Sequence, residues 1–222
     1  MADDFKAAAA RRALELVRPG MLLGIGSGST ARHFIAGLRG RDVRCLASSR
    51  ASADQARALG LEVLEELPAE LDLAVDGADE IDPSLNLIKG RGGALFREKL
   101  VALAARRFVI VADDSKLVDQ LGVGVLPVEV LPFLWPDTAR RLERFGAWQL
   151  RGGPETPYVT DNGNFILDLS ISGGVADPAG LGSTLKSVTG VCEHGLFTGV
   201  AGAAIVAGPA GVRVLGSLDE PG

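Results

Sequence analysis

Between Met21 and Ala112, short apolar or β-branched runs alternate with longer, Ala-rich segments of helical character. The runs are Met21–Ile25, Val43–Ala47, Leu61–Leu64, Leu71–Val75 and Phe108–Ala112. Runs of four to five residues are too short for globular helices and suit buried strands. Strands separated by helices cross over instead of turning back as hairpins, so the pattern predicts an α/β fold, a parallel sheet with covering helices. Punctuation agrees: a helix over Met1–Arg18, with early acids and late bases, stops at Pro19-Gly20. Ser29 and Thr30 then open another ahead of Phe34, Ile35 and Leu38.

After Leu126 the texture changes. Pro127, Pro132, Pro136, Pro154 and Pro157 interrupt strand-like runs at Val128–Leu131, Val159–Thr160 and Phe165–Ile171, with helices expected at Asp137–Phe145 and Pro178–Val188. This reads as a small α+β insertion with mostly antiparallel pairing. Two terminal runs, Ala203–Ala207 and Val212–Leu215, are then available to rejoin the first sheet. There is no internal repeat or low-complexity segment.

Composition narrows the partners. With 47% hydrophobic residues the chain can bury a substantial core and is not a disordered polypeptide. The 23 Lys and Arg are scattered among 28 Asp and Glu, for a net charge of −5, which argues against nucleic acid. No apolar run reaches bilayer-spanning length, and the N-terminus lacks the order of a secretion signal, so no membrane partner and a cytoplasmic location are expected. Cys45 and Cys192 lie in apolar stretches at no disulfide-framework or metal spacing, and read as buried small hydrophobes in a reducing compartment.

Three constellations can carry chemistry. Gly24-Ile25-Gly26-Ser27-Gly28-Ser29-Thr30 sits where a strand hands over to a helix, and glycines with exposed N–H groups and hydroxyls there favour phosphate. It is neither a dinucleotide fingerprint, because Ser29 holds the third glycine position, nor a Walker loop, because it lacks Gly-Lys-Ser/Thr. A phosphomonoester fits better than NAD or ATP, although such a turn is also an ordinary way to leave a strand. Asp76-Gly77-Ala78-Asp79-Glu80-Ile81-Asp82 follows the run Leu71–Val75 and puts four carboxylates in seven residues at a strand's C-terminal end. Metal binding, carbohydrate hydroxyl recognition and a solvated acidic turn all fit it; with no His or Cys nearby, a transition-metal site is disfavoured.

The third, Lys89-Gly90-Arg91-Gly92-Gly93-Ala94, leads into a helix expected over Ala94–Arg106 that carries Glu98 in its second turn. A carboxylate partly buried beside Lys89 is suited to exchanging a proton between adjacent carbons. Asp113-Asp114-Ser115-Lys116 follows another strand and offers a further cation for phosphate or carbohydrate. His33, one turn into a helix, and His194, in a Gly-bounded turn, are assigned no role, and no Ser/His/Asp arrangement is present.

Taken together, GIGSGST at 24–30, DGADEID at 76–82, KGRGGAL at 89–95, REK at 97–99 and DDSK at 113–116 resemble the ordered signature blocks of the type A ribose-5-phosphate isomerase family. PVEVLP at 127–132 and VTDNGNFILD at 159–168 resemble later family segments, so the likeness spans nearly the whole chain. It implies a Rossmann-like, mostly parallel sheet with helices on both faces, from residues 1–126 and 201–222. A smaller α+β, ferredoxin-like lid or oligomerisation domain would occupy 127–200, in a homodimer or homotetramer. It also implies a cofactor-free and metal-free aldose–ketose isomerase of the non-oxidative pentose phosphate pathway, interconverting ribose 5-phosphate and ribulose 5-phosphate.

By that resemblance Ser27, Gly28, Ser29 and Thr30 hold the substrate, and Asp76 and Asp79, with Gly77 and Ala78 between them, bind and orient sugar hydroxyls. Lys89 and Gly90, Arg91 and Gly92 line the pocket, Lys116 binds substrate, and Glu98 matches the catalytic base. Asp76 is the candidate for assisting ring opening, and Lys89 for stabilising the enediolate oxyanion. Two departures stand out: Ser27 where threonine is common, and Arg91 where the family's loop usually has glycine. An arginine would hinder a positive φ or close backbone approach, or else add a cation for phosphate. Rival readings are a sugar-phosphate sensor domain without catalysis and an acyl-CoA transferase with a glutamate nucleophile.

Overall fold

A computed structural model describes residues 2–219. In chain order the elements begin α1 (Ala2–Leu14), β1 (Leu22–Ile25), α2 (Gly28–Ala36), β2 (Arg44–Ala47), α3 (Arg50–Ala58), β3 (Glu62–Val63) and β4 (Leu73–Asp76). They continue with β5 (Glu80–Ile81), β6 (Leu87–Ile88), α4 (Leu95–Leu103), β7 (Phe108–Asp113) and a 3-10 turn at Asp114–Lys116. The remainder is β8 (Leu126–Val130), α5 (Trp135–Leu142), β9 (Ala147–Leu150), β10 (Phe165–Ser170), α6 (Pro178–Lys186), β11 (Val191–His194), β12 (Leu196–Phe197), β13 (Ala203–Gly208) and β14 (Gly211–Gly216). Two compact units result. The first takes residues up to Ala78, Arg97–Lys116 and those from Gly199 onward; the second takes Asp79–Phe96 and Leu117–Thr198.

The first unit is built on a seven-stranded sheet in the order β14-β13-β7-β4-β1-β2-β3, parallel except for the β13–β14 hairpin. This is the Rossmann-like arrangement, in which the winding direction reverses between β1 and β4. Alternation along each strand sorts the core. Leu23 and Ile25, Leu73 and Val75, Val109 and Val111, and Ile205 and Ala207 all join one buried cluster with Ala9, Ala10 and Ala13 of α1 and Phe34 and Ile35 of α2. On the opposite face Gly24 and Ala74 leave room for α4: a Cβ on Gly24 would stand 2.5 Å from Val101 Cγ1 and 2.8 Å from Ala74 Cβ. Helices therefore cover both faces. Gly24→Ala is expected to destabilise the protein by about 1–3 kcal/mol through overpacking. Thermal melting checks this, and a variant as stable as the parent would contradict the packing described.

In the second unit the order β8-α5-β9-β10-α6-β11 gives a four-stranded sheet β11-β8-β10-β9, antiparallel throughout, which is the ferredoxin-like topology. Leu126, Val128 and Val130, Leu167 and Leu169, and Leu150 pack with Ala139 and Leu142 of α5 and Leu185 of α6. Glu129 points to the other face yet is fully buried. Its Oε1 accepts from Thr160 Oγ1 at 3.0 Å, Asn162 Nδ2 at 3.0 Å and Asn164 Nδ2 at 2.8 Å, which pins the loop before β10. A second sheet, β12-β6-β5, is also antiparallel.

Several expectations change. The second unit takes residues 79–96 and 117–126 together with the ferredoxin-like segment, and within it β6 pairs with β5 on one side and β12 on the other, a sheet separate from the seven-stranded one. Val159–Thr160 is not a strand; the Thr160 hydroxyl instead serves Glu129 and the N–H groups of Asn162 and Asn164. The helix expected at Asp137–Phe145 starts at Trp135, with Pro136 at its N-terminus, and tightens to a 3-10 turn from Glu143. The first helix ends at Leu14 instead of Arg18; Met1, included in the expected span, lies outside the described residues.

Candidate active site

In the first unit the chain leaves β1 through Gly26 and enters α2 at Gly28, whose φ of +87° suits glycine. Ser27 stands at the N-cap, but its hydroxyl turns to Ser48 Oγ at 2.9 Å instead of capping the helix. First-turn N–H groups of a helix have no acceptor within it, and with the helix dipole they make a place for an anion. Ser29 is exposed there and Thr30 is 8% exposed.

Asp76 closes β4, on the far side of the point where the winding reverses. Its Oδ1 accepts from Ser27 N at 2.9 Å and Gly77 N at 2.7 Å, and the side chain is 3% exposed. The fit depends on glycine: a Cβ on Gly26 would fall 2.0 Å from Asp76 Oδ1. Gly77 and Ala78 continue from this carboxylate, and the chain then passes into the second unit. The unit thus holds an anion-ready helix start and a buried carboxylate one hydrogen bond apart.

Glu98 is 5% exposed and lies in the first turn of α4, not the second, because that helix begins at Leu95. Asp113 ends β7, and its Oδ1 accepts from both N and Oγ of Ser115, which shapes the 3-10 turn that carries half-buried Lys116.

The second unit carries the remaining candidates. Asp79 N donates to Ile88 O at 2.8 Å, and Asp79 Oδ2 accepts from Arg91 N at 2.9 Å. Lys89 is 2% exposed, with N bonded to Gly195 O at 2.9 Å and Nζ 5.5 Å from the Phe197 ring centre. Gly90 has φ +106°, whereas Arg91 is not in the left-handed region, so arginine costs this loop no backbone strain. Nor is its guanidinium turned outward as a separate phosphate cation: Nη2 donates to Glu80 Oε1 at 2.7 Å. Gly92 is exposed at the loop's tip.

The four neighbouring carboxylates are tolerated because each has its own partners. Glu80, 2% exposed, also accepts from Gly122 N at 2.7 Å and Gly124 N at 2.6 Å. Asp82 accepts from Ser84 N at 2.9 Å and Asn86 N at 2.8 Å as an Asx-type turn. Among the described residues no group of three or more His, Cys, Asp or Glu is arranged to hold a metal ion.

Sequence reasoning did not single out Lys6, whose Nζ lies 3.0 Å from Ser29 Oγ, or Ser48. Neither is near the glycine loop in sequence; packing of α1 on α2 and pairing of β2 with β1 bring them there. His33 Nε2 meets Asp3 Oδ1 at 3.0 Å. His194 is the buried last residue of β11, not a turn residue. Burial pushes the Cys45 thiol up to about 12. Cys192 is half-buried beside charged groups, contrary to the apolar setting expected: burial, Glu129 and Glu193 raise its thiol, and Lys186 opposes them.

Residues 44–211 match the model of ribose 5-phosphate isomerase A (phosphoriboisomerase A). A ribose-5-phosphate isomerase A from Bradyrhizobium diazoefficiens is 44% identical, covering 96% of this chain and 95% of the relative. One from Synechococcus is 47% identical, covering 96% and 97%. A solved D-ribose-5-phosphate isomerase in complex with phospho-erythronic acid superposes with a TM-score of 0.93 at 36% identity, over 98% of this chain and 100% of that one. The ribose 5 phosphate isomerase A of Neisseria gonorrhoeae gives a TM-score of 0.91 at 33% identity, over 99% of each chain. With its signature blocks at the strand ends and these likenesses over nearly its full length, the chain belongs to the ribose 5-phosphate isomerase A family.

Proposed function

We propose that this family member interconverts D-ribose 5-phosphate and D-ribulose 5-phosphate through an enediolate, with Glu98 moving the proton between C1 and C2. The observation that carries the reading is the pairing in the first unit of a helix start that its N-cap side chain does not cap with a buried carboxylate, Asp76, held by Ser27 N and Gly77 N. Ser27, Gly28, Ser29 and Thr30 receive the phosphate, and Asp76 with Asp79 binds hydroxyls and assists ring opening. Lys89 and Lys116 supply positive charge, Lys89 toward the developing oxyanion. Gly77, Ala78, Gly90, Arg91 and Gly92 contribute main chain around those groups. A phosphorylated sugar acid bound to the related enzyme supports a sugar phosphate as the ligand class.

We propose further that the protein acts in the cytoplasm as a homodimer or homotetramer, without cofactor or metal and apart from nucleic acid and membranes. The net charge of −5 speaks against a nucleic-acid partner, and among the described residues no helix is long and apolar enough to cross a bilayer. Exposed Leu131, Phe133 and Leu134 favour the ferredoxin-like unit as the assembly element.

The test is ketose formation from ribose 5-phosphate by the native chain in excess chelator. Rapid turnover is expected; binding without turnover would favour the sensor reading. Lys6 refines it. Lys6→Ala is expected to raise KM about five- to ten-fold with kcat little changed, because its ammonium, bonded to Ser29 Oγ, adds exposed positive charge at the helix start proposed to receive the phosphate. An unchanged KM would remove Lys6 from the site.

A further inference from the structure

We infer that Arg151 is a positioning residue for Asp79 and acts through a single peptide group, that between Gly90 and Arg91. This rests on the reading of Asp79 as a group that orients the sugar hydroxyls.

Arg151 follows β9 and is held on every side. Its N donates to Ile166 O at 2.9 Å, and its O accepts from Tyr158 N at 2.8 Å. Its guanidinium forks onto Asp168 of β10, with Nε 3.0 Å from Oδ2 and Nη2 bonded to Oδ1; the side chains are 16% and 17% exposed. A planar guanidinium paired in this way has little freedom to turn. What it presents beyond Asp168 is therefore aimed: Nη1 donates to Gly90 O at 2.9 Å and to Arg91 O at 3.1 Å.

The consequence follows from peptide geometry. In a trans peptide the C=O and N–H point in opposite directions. With Gly90 O directed at Arg151, the N–H of Arg91 must face the other way, and there it donates to Asp79 Oδ2 at 2.9 Å. One rigid plane thus joins a half-buried cation to the carboxylate, and a cation on the carbonyl polarises the peptide and strengthens the hydrogen bond from its N–H. The side chain of Arg91 is not an alternative route, because its Nη2 is bonded to Glu80. The peptide's orientation also requires Gly90, which has φ +106° and whose Cβ would stand 2.7 Å from Leu95 Cβ.

The experiment is steady-state kinetics on ribose 5-phosphate for the full chain and its Arg151→Ala, Arg151→Lys, Asp79→Asn and Arg151→Ala/Asp79→Asn variants, with thermal melting of each. Arg151→Ala is expected to lower kcat about 10²-fold, the usual cost of a misplaced reacting group, with KM within about three-fold. Added guanidinium ion should restore part of the loss. Arg151→Lys should recover little, since an ammonium cannot bridge the carboxylate and both carbonyls. In the Asp79→Asn background the Arg151→Ala change should cost no more than about two-fold, because both remove the same interaction. Should Arg151→Ala fail to fold, Asp168→Asn, which loosens the fork, is expected to show the same kcat-selective loss and the same non-additivity. A fully active Asp79→Asn would end the reading of Asp79 and this inference with it. An impaired Asp79→Asn whose effect simply multiplies with that of Arg151→Ala, or an Arg151→Ala with native kcat, would overturn this inference alone.

Discussion

Glu98→Gln is expected to lower isomerase turnover by about 10³-fold or more, with KM for ribose 5-phosphate and thermal stability close to the parent's. The amide has nearly the volume of the carboxylate, so the packing around a side chain 5% exposed is preserved. What disappears is the proton transfer between adjacent carbons that is proposed for Glu98. A first-turn position on α4 places the carboxylate where the helix dipole favours negative charge, as a resting base requires. Ketose formation in excess chelator is the measurement. Turnover within about ten-fold of native would assign the proton transfer to another residue, since general base catalysis by a positioned carboxylate contributes more than that.

Gly26→Ala should come next in effect. The new methyl group would sit 2.0 Å from both Cγ and Oδ1 of Asp76 and 2.5 Å from its Cβ, distances no real contact shows. Asp76 cannot simply swing aside, because it is buried and its Oδ1 is held by Ser27 N and Gly77 N. Either the carboxylate leaves those donors or the β1–α2 turn moves; in both cases the helix start and Asp76, the groups proposed to take the phosphate and the sugar hydroxyls, lose register. A fall in kcat/KM of about 10²-fold or more is expected, with a loss of about 1–3 kcal/mol in stability. A variant that keeps native kcat/KM would mean that the Gly26–Asp76 approach does not serve the reaction.

Much of the first unit was legible from the residues. Runs such as Leu71–Val75 and Phe108–Ala112 are buried on both faces of a parallel sheet, so their apolar character is unbroken and their ends are marked by the polar motifs that follow. Less could be read in the second unit. Strands β5, β6 and β12 are two residues long, too short for any periodicity, and β12 reaches its partner from more than 100 residues away in sequence. β9 was missed because Ala147–Leu150 follows directly on a helix and a 3-10 turn with only Gly146 as punctuation.

At the site, the order of the chain alone determined which groups stand at strand ends: the glycine loop after β1, Asp76 after three apolar residues of β4, Lys116 just beyond β7. Local pattern suffices for this, because a strand's end is set by its own residues. Only the tertiary structure decided what those groups do to one another. Glu80 and Asp79 are adjacent in sequence and look alike, yet one is sealed by Arg91, Gly122 N and Gly124 N while the other takes a hydrogen bond from the Lys89–Gly93 loop. Arg91 looked like a backbone problem or a phosphate cation and is instead Glu80's partner. Lys6 reaches Ser29 across a helix contact, and Arg151 reaches Gly90 across the second unit. Side-chain partners separated by 23 or 61 residues are chosen by packing and sheet register, long-range properties that no window of sequence contains.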